Sequence, residues 1–447
     1  METPIFDFVQ SYRQRGTVRL HMPGHKGVGP LGCEALDITE VEGADELYRA
    51  KGIIAQSEAN AAALFGSGAT FYSTEGSSHC IRAMLALAGQ GQEKPLILAA
   101  RNAHRAFLTA CALLDYEVEW LYPAPGEGSL CSCPITPALL EKALTVLPQK
   151  PAAFYCTSPD YLGQLADIAA LAEVCHRAGV LLLVDNAHGA YLHFLPTPCH
   201  PLDLGADLCC DSAHKTLPVL TGGAYLHISR SLAPALAGQA KAALALFGST
   251  SPSYLILESL DLCNAALAGE WPGRLETVCR RLDRLKARLR AENPRLTVEE
   301  GERLKLVLAP AGLGLSGEGL AAILRENGFE PEFADSDHLV AMAGPDIPAD
   351  ELDRLESLLC ALRPAGPALE RRSPAPGPLP RAMSIRRAML SPAETIPVEE
   401  ALGRVCALPS VSCPPAIALA VSGEVLTEEA LALFKAYGVE AVDVVGE

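Results

Sequence analysis

The chain has 447 residues, 49% hydrophobic and 5% aromatic, and carries 36 basic against 53 acidic side chains for a net charge of −17. That length exceeds one ordinary domain and allows two or three, each with its own core. The charge disfavours nucleic acid and anionic membranes as partners and suits a small cationic ligand.

No stretch approaches the roughly 20 apolar residues of a membrane-spanning helix. METPIFDFVQSYRQRG carries acid early and lacks the apolar centre of a secretory signal, so a cytoplasmic protein is expected. Many of the fifteen cysteines lie in apolar runs such as AAFYCTS and ADLCCDS, where Cys serves as a small hydrophobe. Cys131 and Cys133 form a C-x-C without a second ligand pair at zinc-like spacing, so no metal site is expected.

From residue 56 onward, helix-like and strand-like segments alternate, the pattern of a mainly parallel sheet sandwiched by helices. QSEANAAALFG and GSSHCIRAMLALAG read as helices, PLILAA as a buried strand, and HRAFLTACALLD as a third helix. The strands EVEWLY, AAFYCTS, VLLLVD, ADLCCDS and GAYLHIS follow, with helices at 137–147 and 165–178. Their continuous apolar runs suit strands covered on both faces.

Beyond 254 come long amphipathic helices, notably GRLETVCRRLDRLKARLRAEN, and short strands near KLVLA, PEFA and LVAMA, which read as a smaller α/β domain. RPAGPALERRSPAPGPLPRA reads as a linker or strap. The last module holds two helical patterns and an apolar strand, IALAV. The expected divisions are 1–265 for an N-terminal arm and large domain, 266–365 for the small domain, 366–381 for the Pro-rich linker and 382–447 for the C-terminal domain.

Four short motifs fall where such a sheet places ligands, beyond the carboxyl ends of strands. FYSTEGSSHC offers Thr74, Gly76, Ser77 and Ser78 at the start of a helix, where amides and hydroxyls bind phosphate. RNAHRA puts His104 after PLILAA, where an imidazole can stack on a flat ring. VLLLVDNAHGAY delivers Asp185 to a strand end, where a carboxylate needs a cationic partner such as a protonated pyridine nitrogen. DSAHKTLP presents Ser212, His214 and Lys215 after ADLCC. Singly, these read equally as a serine cap, a loop histidine, a capped turn and a surface lysine. Together they supply a phosphate cradle, a ring stacker, an anion and a lysine, the full set for pyridoxal 5′-phosphate.

The order and spacing resemble the fold-type I pyridoxal-phosphate enzymes and, more narrowly, the bacterial ornithine/lysine/arginine decarboxylase family. LHMPGHKG, LDITEVEGADELYRAKGIIAQSEANAAALFG, RNAHRAF, TSPDYLGQLADI, VDNAHGAY, SAHKTLP and CPPAIALAVSGEVLTEEAL carry the resemblance across nearly the whole chain. The N-terminal receiver-like wing of the family's large inducible members has no counterpart here, so the short form is expected.

The resemblance implies decarboxylation of arginine, lysine or ornithine, with Lys215 holding the cofactor, Asp185 pairing with its ring nitrogen and His104 stacking. It also implies that Ser77, Ser212 and His214 hold the phosphate, assisted by Thr74, Gly76 and Ser78, and that His188 lies against the cofactor. His214 and Lys215 are both candidates for returning a proton to Cα. Ser249–Thr250–Ser251 in GSTSPSY would reach the phosphate of a neighbouring subunit, giving a homodimer or higher oligomer with shared sites. Glu332 and Asp335, in EPEFADSD, resemble a segment near the family's substrate pocket. Departures from the family pattern are Glu75 in the phosphate loop, Asn186 in DNAHG, and Gly222 and Gly223 after the lysine motif. The rival readings are another pyridoxal-phosphate reaction, such as transamination or β-elimination, and a non-catalytic binding module.

Overall fold

A computed structural model describes residues 1–124, 127–370, 377–409 and 417–446. Its centre is a seven-stranded sheet built from β1 (Ala69–Ser73), β2 (Leu96–Ala100), β3 (Glu117–Leu121), β4 (Ala153–Thr157), β5 (Leu181–Asp185), β6 (Leu208–Asp211) and β7 (Ala224–Ile228). The strands lie in the order β1-β7-β6-β5-β4-β2-β3, and β7 runs against both its neighbours while β6, β5, β4, β2 and β3 pair in parallel. Side chains alternate across a strand, so β4 and β5 feed two cores at once. Ala153, Tyr155 and Leu183 pack on one face, and Phe154, Cys156, Leu182 and Val184 pack on the other.

The first face is covered by α3 (Gly76–Ala88), α4 (Arg105–Leu114) and α8 (Ala233–Ala245), and the second by α5 (Pro137–Val146) and α6 (Ile168–Ala178). A third core joins α1 (Pro4–Gln14), α2 (Ile53–Leu64), α9 (Tyr254–Leu267) and the first half of α10 (Trp271–Glu292). Thr3 makes no side-chain cap on α1. Instead Asp261 of α9 accepts hydrogen bonds from the Ile5 and Phe6 amides at 2.9 and 3.0 Å, satisfying helix-end donors from 255 residues away or more.

The smaller sheet, β8 (Thr297–Val298), β9 (Lys305–Ala309), β10 (Phe333–Ala334) and β11 (Leu339–Met342), is antiparallel throughout in the order β10-β11-β9-β8. The end of α10, α11 (Gly317–Glu326) and α12 (Ala349–Ala361) cover it. In the tail, α13 (Ile385–Met389), α14 (Glu428–Ala436) and the antiparallel pair β12 (Ala393–Pro397) and β13 (Ala441–Val445) close the chain. Val398, Phe434, Val442 and Val444 share a core with Phe154 and Leu182 of the main sheet, so the tail covers that sheet's second face.

Two readings of the sequence are corrected. IALAV at 417–421 is not among the named strands; its residues are buried as irregular chain packed against the main domain, and the CPPA that precedes it lies outside the described residues. ATFYS is strand β1, which its mixed pattern did not reveal. Residues 371–376 of the Pro-rich linker also lie outside the described residues. Among the described residues, no helix is long and apolar enough to cross a membrane.

Candidate active site

Parallel pairing brings strand ends into line, with Thr157 of β4 facing Asp185 of β5, which in turn faces Cys210 of β6. Asp185 is 2% exposed. One of its oxygens accepts from the Tyr155 hydroxyl at 3.1 Å, and the other accepts from the Ala187 amide at 3.2 Å and the Cys210 thiol at 3.7 Å. These donors are neutral. Among the described residues no basic side chain pairs with Asp185 within 4 Å, an arrangement that a buried carboxylate tolerates only beside a further cation or proton donor.

Lys215 sits in α7 (Ala213–Thr216), which follows β6 directly. Its amine donates to His188 Nε2 at 3.1 Å. Lys215 is exposed as a residue, yet desolvation of its amine lowers the pKa, opposed by the charges of Asp185 and Glu332. His188 is buried, and burial together with the cations of Lys305 and Lys215 pushes its pKa far down, so it is a neutral acceptor. Its Nδ1 is buried without a hydrogen-bond partner. Tyr161 packs edge-on against the His188 ring at 5.3 Å.

His104 caps α4, with Nδ1 accepting from the Ala106 amide at 3.1 Å. Burial lowers its pKa while Asp185 raises it and Lys215 lowers it further, so its charge environment is that of the other two. Ser212 donates to Ser77 at 2.7 Å, which joins the start of α3 to the lysine loop. The Gly76 amide donates to the Gly222 carbonyl at 2.7 Å, and His214 Nδ1 donates to the Gly223 carbonyl at 3.1 Å. The structure therefore brings Ser77, His104, Asp185, His188, Ser212, His214 and Lys215 to one edge of the sheet, with Thr74, Gly76 and Ser78 in the turn that begins α3.

The departures from the family pattern have local reasons. Gly222 has φ +99, and a Cβ there would lie 2.8 Å from the Thr74 carbonyl oxygen, so only glycine lets this loop pass over the start of α3. Asn186 donates from Nδ2 to Asp211 at 2.7 Å. Asp211 is fully buried, and although burial alone raises its pKa, His200 and His227, at 3.0 and 3.1 Å, hold it well below the usual carboxylate range. A glutamate at 186 would set a second carboxylate beside Asp211, where an amide supplies a donor. His200 Nδ1 accepts from the Leu202 amide, so its Nε2 carries the proton donated to Asp211 and holds no lone pair for a metal. Glu75 is turned to the loop after α8, where it accepts from the Ser249 amide at 2.6 Å.

Thr250 is exposed, and the amide of its neighbour Ser249 bonds Glu75 just before the turn that begins α3. Glu332 follows α11, is exposed, and accepts from the Tyr161 hydroxyl at 3.0 Å. Asp335 instead binds the backbone amides of Asp337 and His338 and serves its own turn. Tyr155 and Tyr161 were not found in the sequence, since a tyrosine inside an apolar strand or in the loop just after it reads as packing.

These residues fit pyridoxal 5′-phosphate. A buried carboxylate lacking a cation answers a protonated ring nitrogen, the buried His188 Nδ1 has no hydrogen-bond partner, and the hydroxyls of Ser77 and Ser212 meet at a helix N-terminus, a ready anion site. Comparison with known proteins agrees. The family described as "Orn/Lys/Arg decarboxylase, major domain" matches residues 3–298. An arginine decarboxylase of Bacillus subtilis is 30% identical over 96% of this chain and 92% of its own, and one of Halalkalibacterium halodurans is 28% identical over 97% and 93%. The solved structure of lysine decarboxylase A from Pseudomonas aeruginosa superposes with a TM-score of 0.80 at 17% identity, over 99% of this chain and 80% of that one.

Because burial lowers the Lys215 pKa, its neutral amine should be available at lower pH than that of an exposed lysine. The rate of cofactor capture by apoenzyme, followed by visible absorbance, should therefore rise with pH and level off below the pKa of free lysine. A midpoint at or above the free value contradicts this.

Proposed function

Since the chain belongs to the Orn/Lys/Arg decarboxylase family, we propose that it removes the α-carboxylate of arginine using pyridoxal 5′-phosphate held on Lys215. Dependence on that cofactor and release of carbon dioxide from a basic amino acid are the family's chemistry. Arginine is favoured among the three because the Bacillus and Halalkalibacterium relatives carry that name. The observation that carries the residue assignment is the buried, cation-free carboxylate of Asp185 at the strand end beside Lys215.

When bound, the cofactor supplies an electron sink for the pair released as the bond to the carboxylate breaks. Asp185 then keeps a proton on the ring nitrogen, and the Tyr155 hydroxyl holds that carboxylate in place. His104 would lie against the ring, and His188 would border it. Ser77 and Ser212, with Thr74, Gly76, Ser78 and His214, would hold the phosphate. Lys215 Nζ and His214 are the two candidates for returning a proton to Cα. Because His214 gives its Nδ1 proton to the Gly223 carbonyl, its Nε2 must first take one up, which makes Lys215 Nζ the direct donor. Tyr161 and Phe333, 5.0 Å apart, wall the cleft against water. Glu332, anchored by Tyr161, is the group proposed to receive the substrate's guanidinium, which a carboxylate takes through two parallel hydrogen bonds.

A shared site is also proposed. It is supported by the exposed Thr250 and by Val18, Leu20, Met22, Val28 and Leu31, apolar side chains 68–91% exposed on the N-terminal arm. Such a concentration on an ordered segment suits cover by a second copy. Arg19 fixes the arm by donating to the carbonyls of Glu34, Ala35 and Asp37.

Carbon dioxide release from arginine, lysine and ornithine tests the substrate, with arginine expected to exceed the others by at least ~10-fold in kcat/KM because a site built around paired hydrogen bonds rejects ligands that leave them unmade. Comparable rates, or a preference for lysine, would overturn the choice. The shared site is tested by mixing two variants, Lys215→Ala and Thr250→Glu, each expected to be inactive alone. Random mixing makes half the dimers mixed and half of their sites whole, so roughly a quarter of wild-type activity should return. No recovery, although tagged pull-down shows exchange, means that Thr250 completes no neighbouring site.

A further inference from the structure

We propose that Glu424, in the tail, is a positioning residue for His104 and acts on it through Arg101. This rests on the reading above that His104 stacks on the cofactor. Arg101 directly follows β2 and precedes His104 by three residues, so whatever fixes Arg101 fixes the start of the loop that carries the imidazole. Its side chain is 1% exposed, and that of Glu424 is 5% exposed. Nη1 and Nη2 donate to the two Glu424 oxygens, each at 2.8 Å, and Nη2 also donates to the Ala418 carbonyl at 3.3 Å. The guanidinium lies over Trp120 at 5.0 Å and Tyr122 at 5.6 Å.

Both ends of this contact are themselves held. Glu424 accepts a third hydrogen bond from the Val421 amide at 2.8 Å. The turn before it needs Gly423, whose φ is +93 and whose absent Cβ would lie 2.3 Å from the Met383 carbonyl. On the other side the Arg101 amide donates to Leu121, the Asn102 carbonyl accepts from Thr157 at 3.1 Å, and the His104 ring caps α4. Glu424 thus fixes the Arg101 side chain, and the three-residue backbone step from Arg101 to His104 carries that position to the imidazole.

A bidentate pair sealed from water is a poor source of stability, because desolvating two ions offsets their attraction and apolar residues of similar volume serve as well or better. What it does supply is a single geometry, set by the planar fork of the guanidinium. Its place, three residues from the ring stacker, gives that geometry a use. The tail thereby sets the height of the His104 loop above the strand end.

The test uses holoenzyme and reads the rate of cofactor release, with the visible circular dichroism of the bound cofactor, at a temperature below the onset of unfolding of each variant. His104→Ala should speed release. Glu424→Gln should speed it about three- to tenfold, within the range of typical coupling energies between positions that act through intermediates. Placed on top of His104→Ala, it should add nothing, because both act on one contact. Arg101→Met combined with Glu424→Met leaves no unpaired buried charge, so it should keep the melting temperature within a few degrees while showing the same faster release and altered dichroism. Multiplicative effects of Glu424→Gln and His104→Ala overturn the proposal, as does a stable double-Met variant with wild-type release and dichroism. If His104→Ala alone changes neither signal, the stacking role fails first and the proposal falls with it.

Discussion

The structure depends on one electrostatic constraint, a carboxylate buried at the carboxyl end of β5 with only neutral donors around it. A charge in that position is costly unless something cationic completes it. Tyr155, the Ala187 amide and the Cys210 thiol orient Asp185 without neutralising it. On the function proposed above, the remaining demand would be met by a ligand that brings its own proton. Lys215 cannot meet it directly, since its amine is turned to His188. On that reading the carboxylate and the amine would be two separate handles on a small flat molecule, and the sheet order β4-β5-β6 sets them side by side.

A second layer of buried polar contacts holds this edge in shape. Asp211, immediately before Ser212, collects His200, His227 and Asn186, which ties the residue immediately after Asp185 to the start of the lysine loop. His227 passes the chain on to Thr70 in β1 at 2.8 Å. Breaking such a network by removing one member typically costs several kcal/mol, on the order of 3–5 for a buried ion pair. The small sheet closes the cleft from the other side, where Lys305, drawn down in pKa by burial, donates to the Asp160 and Tyr161 carbonyls and keeps Tyr161 beside His188.

Much of this was legible in the sequence because the main sheet is buried on both faces. VLLLVD, AAFYCTS and ADLCC are apolar throughout, so the polar residue that ends each run marks a strand end, and the motif after it marks the loop. Contacts that join distant segments could not be read that way. Arg101 and Glu424 are 323 positions apart, and Asp261 meets Ile5 across 256. Tyr155 was hidden for the opposite reason, since it occupies a strand position where an aromatic is ordinary packing. β1 was missed because ATFYS mixes polar and apolar residues on a strand at the sheet's end, paired with the antiparallel β7, and IALAV was misread because an apolar run also suits a buried irregular segment.

The central claim is that the negative charge of Asp185, not its shape, sustains the chemistry. Asp185→Asn keeps the side chain's size and its hydrogen bond with Tyr155 but removes that charge. Measured as carbon dioxide release per cofactor-loaded site, its activity should fall by roughly a thousandfold or more, the loss of an electrostatic interaction in a desolvated site, while cofactor remains bound to Lys215. Release within a few-fold of wild type would show that Asp185 merely caps its turn, and the account would be wrong.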